Sequence, residues 1–139
     1  MAKTALDNFA AHPCAQLLGA KLLDAKLAEG WIKVSFEGKP EFCNPAGVVQ
    51  GGMLTAMIDD TMGPLLFVTS GGRLYSATIN LTVNFLAPAK PGRIMAEAKV
   101  VQLGKTIAFV EGKLTAEDGT LLATATASKR LLEAAKVVR

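Results

Sequence analysis

Two adjacent carboxylates, Asp59 and Asp60, interrupt a stretch that is otherwise almost wholly apolar, Met53 to Ser70. An unpaired carboxylate is expensive to bury, so at least one of them must face a partner, a solvent-filled cleft or a subunit boundary. Placed there, it could act as general base on water or as nucleophile on a carbonyl. The plainer reading is a solvated side chain at an interface rim. Helical periodicity does not choose between the two, because apolar positions surround both.

Upstream of the carboxylates, a loop bearing Asn44 and Gly47 runs into Gln50-Gly51-Gly52. If a helix starts there, the amides of its first turn point outward with partial positive charge and favour an oxyanion. Gly51 and Gly52 have no side chain to keep a substrate carbonyl away. The alternative is that they only permit tight helix packing. Eight residues separate Gly51 from Asp59, about 12 Å along one helix axis. A single carbonyl carbon can hardly touch both. If both act on one substrate, the carboxylate must come from an antiparallel helix on a second subunit, and the catalytic unit is a dimer.

Other chemistries are poorly supplied. Cys14 and Cys43 are the only cysteines and His12 is the only histidine, too few for a zinc site, and free thiols are expected. Cys43 abuts Asn44, but a Cys–His nucleophile would require His12 to reach it. His12 itself reads as a structural or surface residue.

The surrounding pattern says what must position these groups. Residues 3–12 suggest a short amphipathic helix closed by Pro13. Gly19 to Glu37 alternates with a turn at Glu29-Gly30, a hairpin, and Glu37 to Val49 is a loop by composition. Gly51 to about Thr69 reads as one helix with Gly71-Gly72 as its stop. Being apolar around most of its circumference, it is expected to be buried. Four strands follow: Tyr75 to Pro88, with Ala77, Ile79, Leu81, Val83 and Phe85 at every second position, then Arg93 to Leu103, Lys105 to Glu117 and Thr120 to Leu132. Asp118-Gly119 is a hairpin signal between the last two.

Residues 1–139 therefore read as a single α+β domain, an antiparallel sheet wrapped around a long central helix. Half the residues are hydrophobic and 19% are charged, which excludes disorder. A mean hydropathy of +0.33 suggests that extra apolar surface is buried between subunits. The charge of +3 is spread without runs or aromatic interleaving, which argues against nucleic acid. The start lacks the apolar run of a secretion signal, and Asp59, Asp60 and Pro64 break the longest apolar stretch. A cytoplasmic location with no membrane span is the expectation.

The stretch Cys43 to Gly63 and the strands after it resemble the PaaI-like acyl-CoA thioesterases of the hotdog superfamily. The resemblance rests on Asn44, Gly47, Gln50-Gly51-Gly52, Asp59 and Gly63, on Asn80 to Gly92, on Leu103 to Phe109, and on Asp118-Gly-Thr-Leu-Leu-Ala-Thr-Ala. It spans roughly residues 15–131. It implies a hotdog fold, as a homodimer or a homotetramer, and hydrolysis of an aliphatic or aromatic acyl-CoA with no metal and no cofactor beyond the coenzyme A of the substrate. The Gly51 amide would polarise the thioester carbonyl, and Asp59 of the facing subunit would act as base or nucleophile. Asn44 would help place the water or the carboxylate. Thr78 matches a substrate contact near the thioester, and Gly52 and Gly63 belong to the same substrate-binding motif. Phe85, Lys90, the Gly104-Lys105-Thr106 turn and Arg130 match places where relatives hold coenzyme A.

Gln50 departs from the pattern, since relatives usually carry histidine there. Glutamine can hydrogen-bond the carbonyl or orient the loop, but it cannot titrate near neutral pH. The main rival is therefore a non-catalytic acyl-CoA-binding protein of the same fold. A hotdog dehydratase would ordinarily need a motif histidine, and a plain interaction module would leave the Asp pair as an interface feature.

Overall fold

The computed structural model describes residues 11–137. The helix expected over residues 3–12 lies almost entirely outside that range. What is described next to it is a short helix α1, Pro13–Leu17. Pro13 opens this helix, as its missing N–H would have no helical partner at the first position anyway.

The hairpin follows as β1, Lys21–Lys26, and β2, Trp31–Gly38. A single 3-10 turn and Gly30 join them, with Gly30 at φ 61°, a conformation that favours glycine. Helix α2 spans Gly51–Thr69. The remaining strands are β3 (Leu74–Phe85), β4 (Gly92–Leu103), β5 (Ile107–Ala116) and β6 (Leu121–Glu133). All pairings are antiparallel, in the order β1-β2-β4-β5-β6-β3. The expected α+β arrangement is present, with six strands and α2 packed on one face of their sheet.

The core lies between that face and α2. Leu54, Met57, Ile58, Met62 and Leu65 turn toward the sheet and are almost fully buried, each contributing about 1.5–3 kcal/mol by its transfer from water. They meet Val34, Phe36, Ile94, Val110 and Leu114. Small residues let the helix come close: a Cβ on Gly112 would stand 3.0 Å from the Met62 Cε. No helix among the described residues is long and apolar enough to cross a membrane.

Two features depart from the sequence expectation. Helix α2 is not covered on all sides. Gly52, Thr55, Ala56, Asp59, Asp60 and Gly63 form a stripe that is half-buried or exposed in the single chain, because one sheet can cover only one side of a helix. Strand β3 does not alternate regularly either. Its register against β6 shifts between Thr78 and Asn80, so Ile79 is an inserted bulge residue. Leu81, Val83 and Phe85 share the face of Ala127, Ala125 and Ala123, while Ser76 and Thr78 pair with Leu131 and Lys129. Ala77 and Ile79 are thereby removed from the row expected to carry them, and Thr78 is turned to the helix side. β3 is also an edge, twelve residues long and unpaired on one side among the described residues.

Candidate active site

Asp59 projects from the open stripe of α2 with its side chain 47% exposed. The Thr78 hydroxyl donates to Asp59 Oδ1 at 2.9 Å. Beneath them is Lys129, 1% exposed, whose Nζ donates to Thr78 Oγ1 at 2.6 Å and to Asp59 Oδ1 at 3.4 Å. Both contacts fall on Oδ1. Among the described residues nothing donates to Oδ2, so one carboxylate oxygen is anchored and the other faces outward. Burial pushes the Lys129 ammonium below the usual lysine range, and the Asp59 charge opposes that shift.

Lys129 is the charged side chain of this cluster that the sequence reading passed over. The signal was present. Ala123, Ala125, Ala127 and Lys129 lie at every second position of β6, so a lysine occupies a row of core alanines. Its neighbour Arg130, which the reading did single out, points to the opposite face and is exposed.

Asp60 differs from its neighbour. Burial raises its pKa above the usual carboxylate range, the charge of Asp59 adds to this, and His12 opposes it. Its Oδ2 is buried with no hydrogen-bond partner among the described residues. Pro64 lies one turn further along the helix and has no N–H for the Asp60 carbonyl. Cys14 is raised by burial and by the charges of Asp60 and Asp59, so α1 borders the same carboxylates. Cys43 is not assembled into a nucleophile, as its Sγ contacts the Lys39 carbonyl at 3.9 Å.

At the other end of the helix, Gln50 is the cap residue in extended conformation, with φ −61° and ψ 141°, and makes no side-chain capping bond. Its carbonyl accepts from Met53 and Leu54. The amides of Gly51 and Gly52 precede these and have no acceptor among the described residues, so they remain available to a ligand. Phe85 lies over Gly51, where an added Cβ would be 3.1 Å from the ring Cζ. Val49, Gly51, Leu54, Phe85, Leu86 and Pro88 line a mainly apolar cavity of about 310 Å³. Asn44 shapes the approach: its Oδ1 accepts from Ala46 and Val48 at 3.0 and 3.4 Å, which folds the loop ahead of Gln50.

The remaining residues singled out from sequence fall into two groups. Phe85 is at the Gly51 end, and Lys90 follows it in the loop that pairs Val49 with Ala89. Thr78 and Gly63 are at the Asp59 end, where Ser76 Oγ donates to the Gly63 carbonyl at 3.4 Å. The Gly104-Lys105-Thr106 turn is also there, since the Thr106 carbonyl accepts from Leu131 beside Arg130. From Thr78 to Phe85 along β3 is roughly 20 Å. One chain thus carries two separate features, a helix start over an apolar cavity and an anchored carboxylate, on the same helix but apart.

Comparison with known proteins gives a consistent answer. The thioesterase superfamily model matches residues 46–123. A protein of Saccharolobus solfataricus that bears an esterase name is 36% identical over 115 residues, covering 81% of each chain. Human acyl-coenzyme A thioesterase 13 is 27% identical over 113 residues, 80% of each chain. Among solved structures, a phenylacetic acid degradation-related protein from Ralstonia eutropha JMP134 superposes with a TM-score of 0.80 at 36% identity, covering 86% of this chain and 90% of that one. The chain belongs to the thioesterase superfamily and has its hotdog fold.

Proposed function

We propose that the protein hydrolyses acyl-coenzyme A thioesters in a site assembled from two copies of the chain. In this reading the Gly51 amide of one copy polarises the thioester carbonyl, and Asp59 of the other copy acts on the carbonyl carbon. By the water route, Asp59 Oδ2 takes a proton from water as the water oxygen bonds to that carbon. The carbon–sulfur bond then breaks, coenzyme A leaves as thiolate and takes up a proton, and the acyl group departs as carboxylate. By the direct route the carboxylate oxygen makes the bond itself, and water then opens the mixed anhydride. Both routes use the same unanchored oxygen. Neither calls for a metal or for a cofactor other than the substrate's own coenzyme A.

The observation that carries the reading is the separation of the half-sites. The available Gly51 amide and the anchored Asp59 lie eight residues apart on one helix, about 12 Å, so a second, antiparallel copy brings them together. The open stripe on α2 and the free edge of β3 offer the surface for such a dimer, and tetramers would join two of them. The apolar cavity beneath Phe85 suits an aliphatic or aromatic acyl chain or the pantetheine arm. Lys90, Lys105 and Arg130 suit the coenzyme A phosphates, and Gly52, Asn44 and Gln50 frame the carbonyl. The cytoplasm is the compartment this substrate implies.

Gln50 favours a second reading, an acyl-CoA-binding protein without turnover, because its amide cannot transfer a proton. Thiol release from a panel of acyl-CoAs by wild type and Asp59→Asn separates the two. Turnover that falls at least about 100-fold in the variant supports the hydrolase, as for loss of an acid–base group. Tight binding without turnover in wild type supports the binder.

A further inference from the structure

We propose that Lys129 is a positioning residue for hydrolysis: its buried ammonium holds the Thr78 hydroxyl and Asp59 Oδ1 in one charged chain, so that only Asp59 Oδ2 is presented to the reacting atoms. This deepens the proposed function and rests on Asp59 being its carboxylate.

Lys129 sits in a row of core alanines. Its neighbours on the same face of β6 are Ala123, Ala125 and Ala127, 0%, 4% and 5% exposed. Ala108 lies opposite on β5 and Thr78 opposite on β3. An apolar side chain would fill that position without the cost of desolvating a charge. The ammonium is held instead by two oxygens, and both belong to the carboxylate's own network. At 1% exposure it is screened from substrate, so its effect must pass through Thr78 and Asp59.

The direction of the hydrogen bonds is informative. Thr78 has one hydroxyl proton, which goes to Asp59, and it accepts from Lys129. A hydroxyl that receives a bond from a cation donates more strongly to an anion, because each bond polarises the next. The Ile79 bulge is what places this hydroxyl on the helix side. Rotation of the Asp59 carboxylate is then opposed by two contacts to one oxygen.

The chain works only while Lys129 carries its proton. A neutral amine keeps a weak donor but loses the charge, and burial has brought that loss to lower pH than in an exposed lysine. The titratable group facing it is Asp59, and Asp60 is next along α2. His12 and Cys14 border Asp60 from the α1 side. β3 and β5 contribute no titratable side chain opposite Lys129.

The test is the pH dependence of kcat and KM for acyl-CoA hydrolysis by wild type, Lys129→Met, Thr78→Val, Thr78→Ser and Asp59→Asn, with melting curves on each. Wild-type kcat is expected to fall on the alkaline side, and Lys129→Met to lose that alkaline fall. Lys129→Met and Thr78→Val should lower kcat about 10- to 100-fold with KM altered less than about threefold, and Thr78→Ser should restore kcat to within about threefold. If Lys129→Met does not fold, Thr78→Val and Thr78→Ser decide. An inactive Asp59→Asn beside a fully active Thr78→Val or Lys129→Met would overturn the role of Lys129 and leave the hydrolase reading intact. So would an alkaline fall that persists in Lys129→Met. A fully active Asp59→Asn would overturn the hydrolase reading itself.

Discussion

Gly51 and Asp59 stand on one helix, eight residues apart, with an open backbone amide at its start and the carboxylate two turns on. The Gly51 amide has no acceptor among the described residues, and Asp59 Oδ1 is anchored by Thr78 and Lys129. About 12 Å of helix separates them within one chain.

The amide can be removed without disturbing the helix. Gly51 occupies the first helical position, where proline is favoured, and Gln50 before it already has the extended backbone that a following proline demands. Gly51→Pro should lower kcat about 10²- to 10³-fold, the loss typical of one oxyanion donor, with a melting temperature within a few degrees of wild type. Gly51→Ala keeps the N–H and crowds only the ring tip of the half-exposed Phe85. It should retain at least about a tenth of wild-type kcat. Steady-state kinetics on both variants separates the missing donor from the added bulk.

Gln50 gives a sharper result in its pH profile than in its rate. It makes no capping bond, so Gln50→Ala should melt close to wild type. Loss of a neutral hydrogen bond to the carbonyl would cost about 1 kcal/mol, roughly fivefold in kcat/KM. An amide does not titrate, so the shape of the kcat/KM profile against pH should be the same in the two proteins.

Asp60 should cost stability at neutral pH. Its folded pKa is raised by burial and by Asp59, so the folded state holds a proton more tightly than the unfolded chain. Stability contributed by this group therefore falls as pH rises from the ordinary carboxylate range through the raised folded value. Asp60→Asn removes that dependence. Thermal melts should show the variant gaining on wild type at pH 7 and the gain shrinking toward pH 4. An equal gain at both pH values would mean that Asp60 binds its proton equally in the folded and unfolded chain, so that its folded pKa is not raised.

Much of this arrangement was legible in the residues. The helix from Gly51 to Thr69, the hairpin turned at Gly30 and the strand count follow from period and punctuation, and the Gly-Gly start and the Asp pair drew attention to the two ends of the candidate site. Three things were not. The β3 alternation Ala77, Ile79, Leu81, Val83, Phe85 looks unbroken in sequence. Nothing local announces the bulge, which exists because β6 pairs out of step, and it is the bulge that makes Thr78 a partner of Asp59. Lys129 was overshadowed by Arg130, since charge in an alternating strand is read first as surface. The open stripe of α2 was hidden because its small residues, Gly52, Ala56 and Gly63, count as apolar and so look like core.

A complementation assay asks most directly whether two chains share the site. Asp59→Asn and Gly51→Pro are each purified, shown to sediment as multiples of the 14.5 kDa chain, then unfolded together in equal amounts and refolded. In a shared site, a mixed dimer has one doubly defective site and one intact site. Half the dimers are mixed, and each carries one working site of two, so about a quarter of wild-type thiol release should return. If the mixture stays as inactive as either parent while mixed dimers are demonstrably present, Gly51 and Asp59 belong to one chain's site and the two-copy account is wrong.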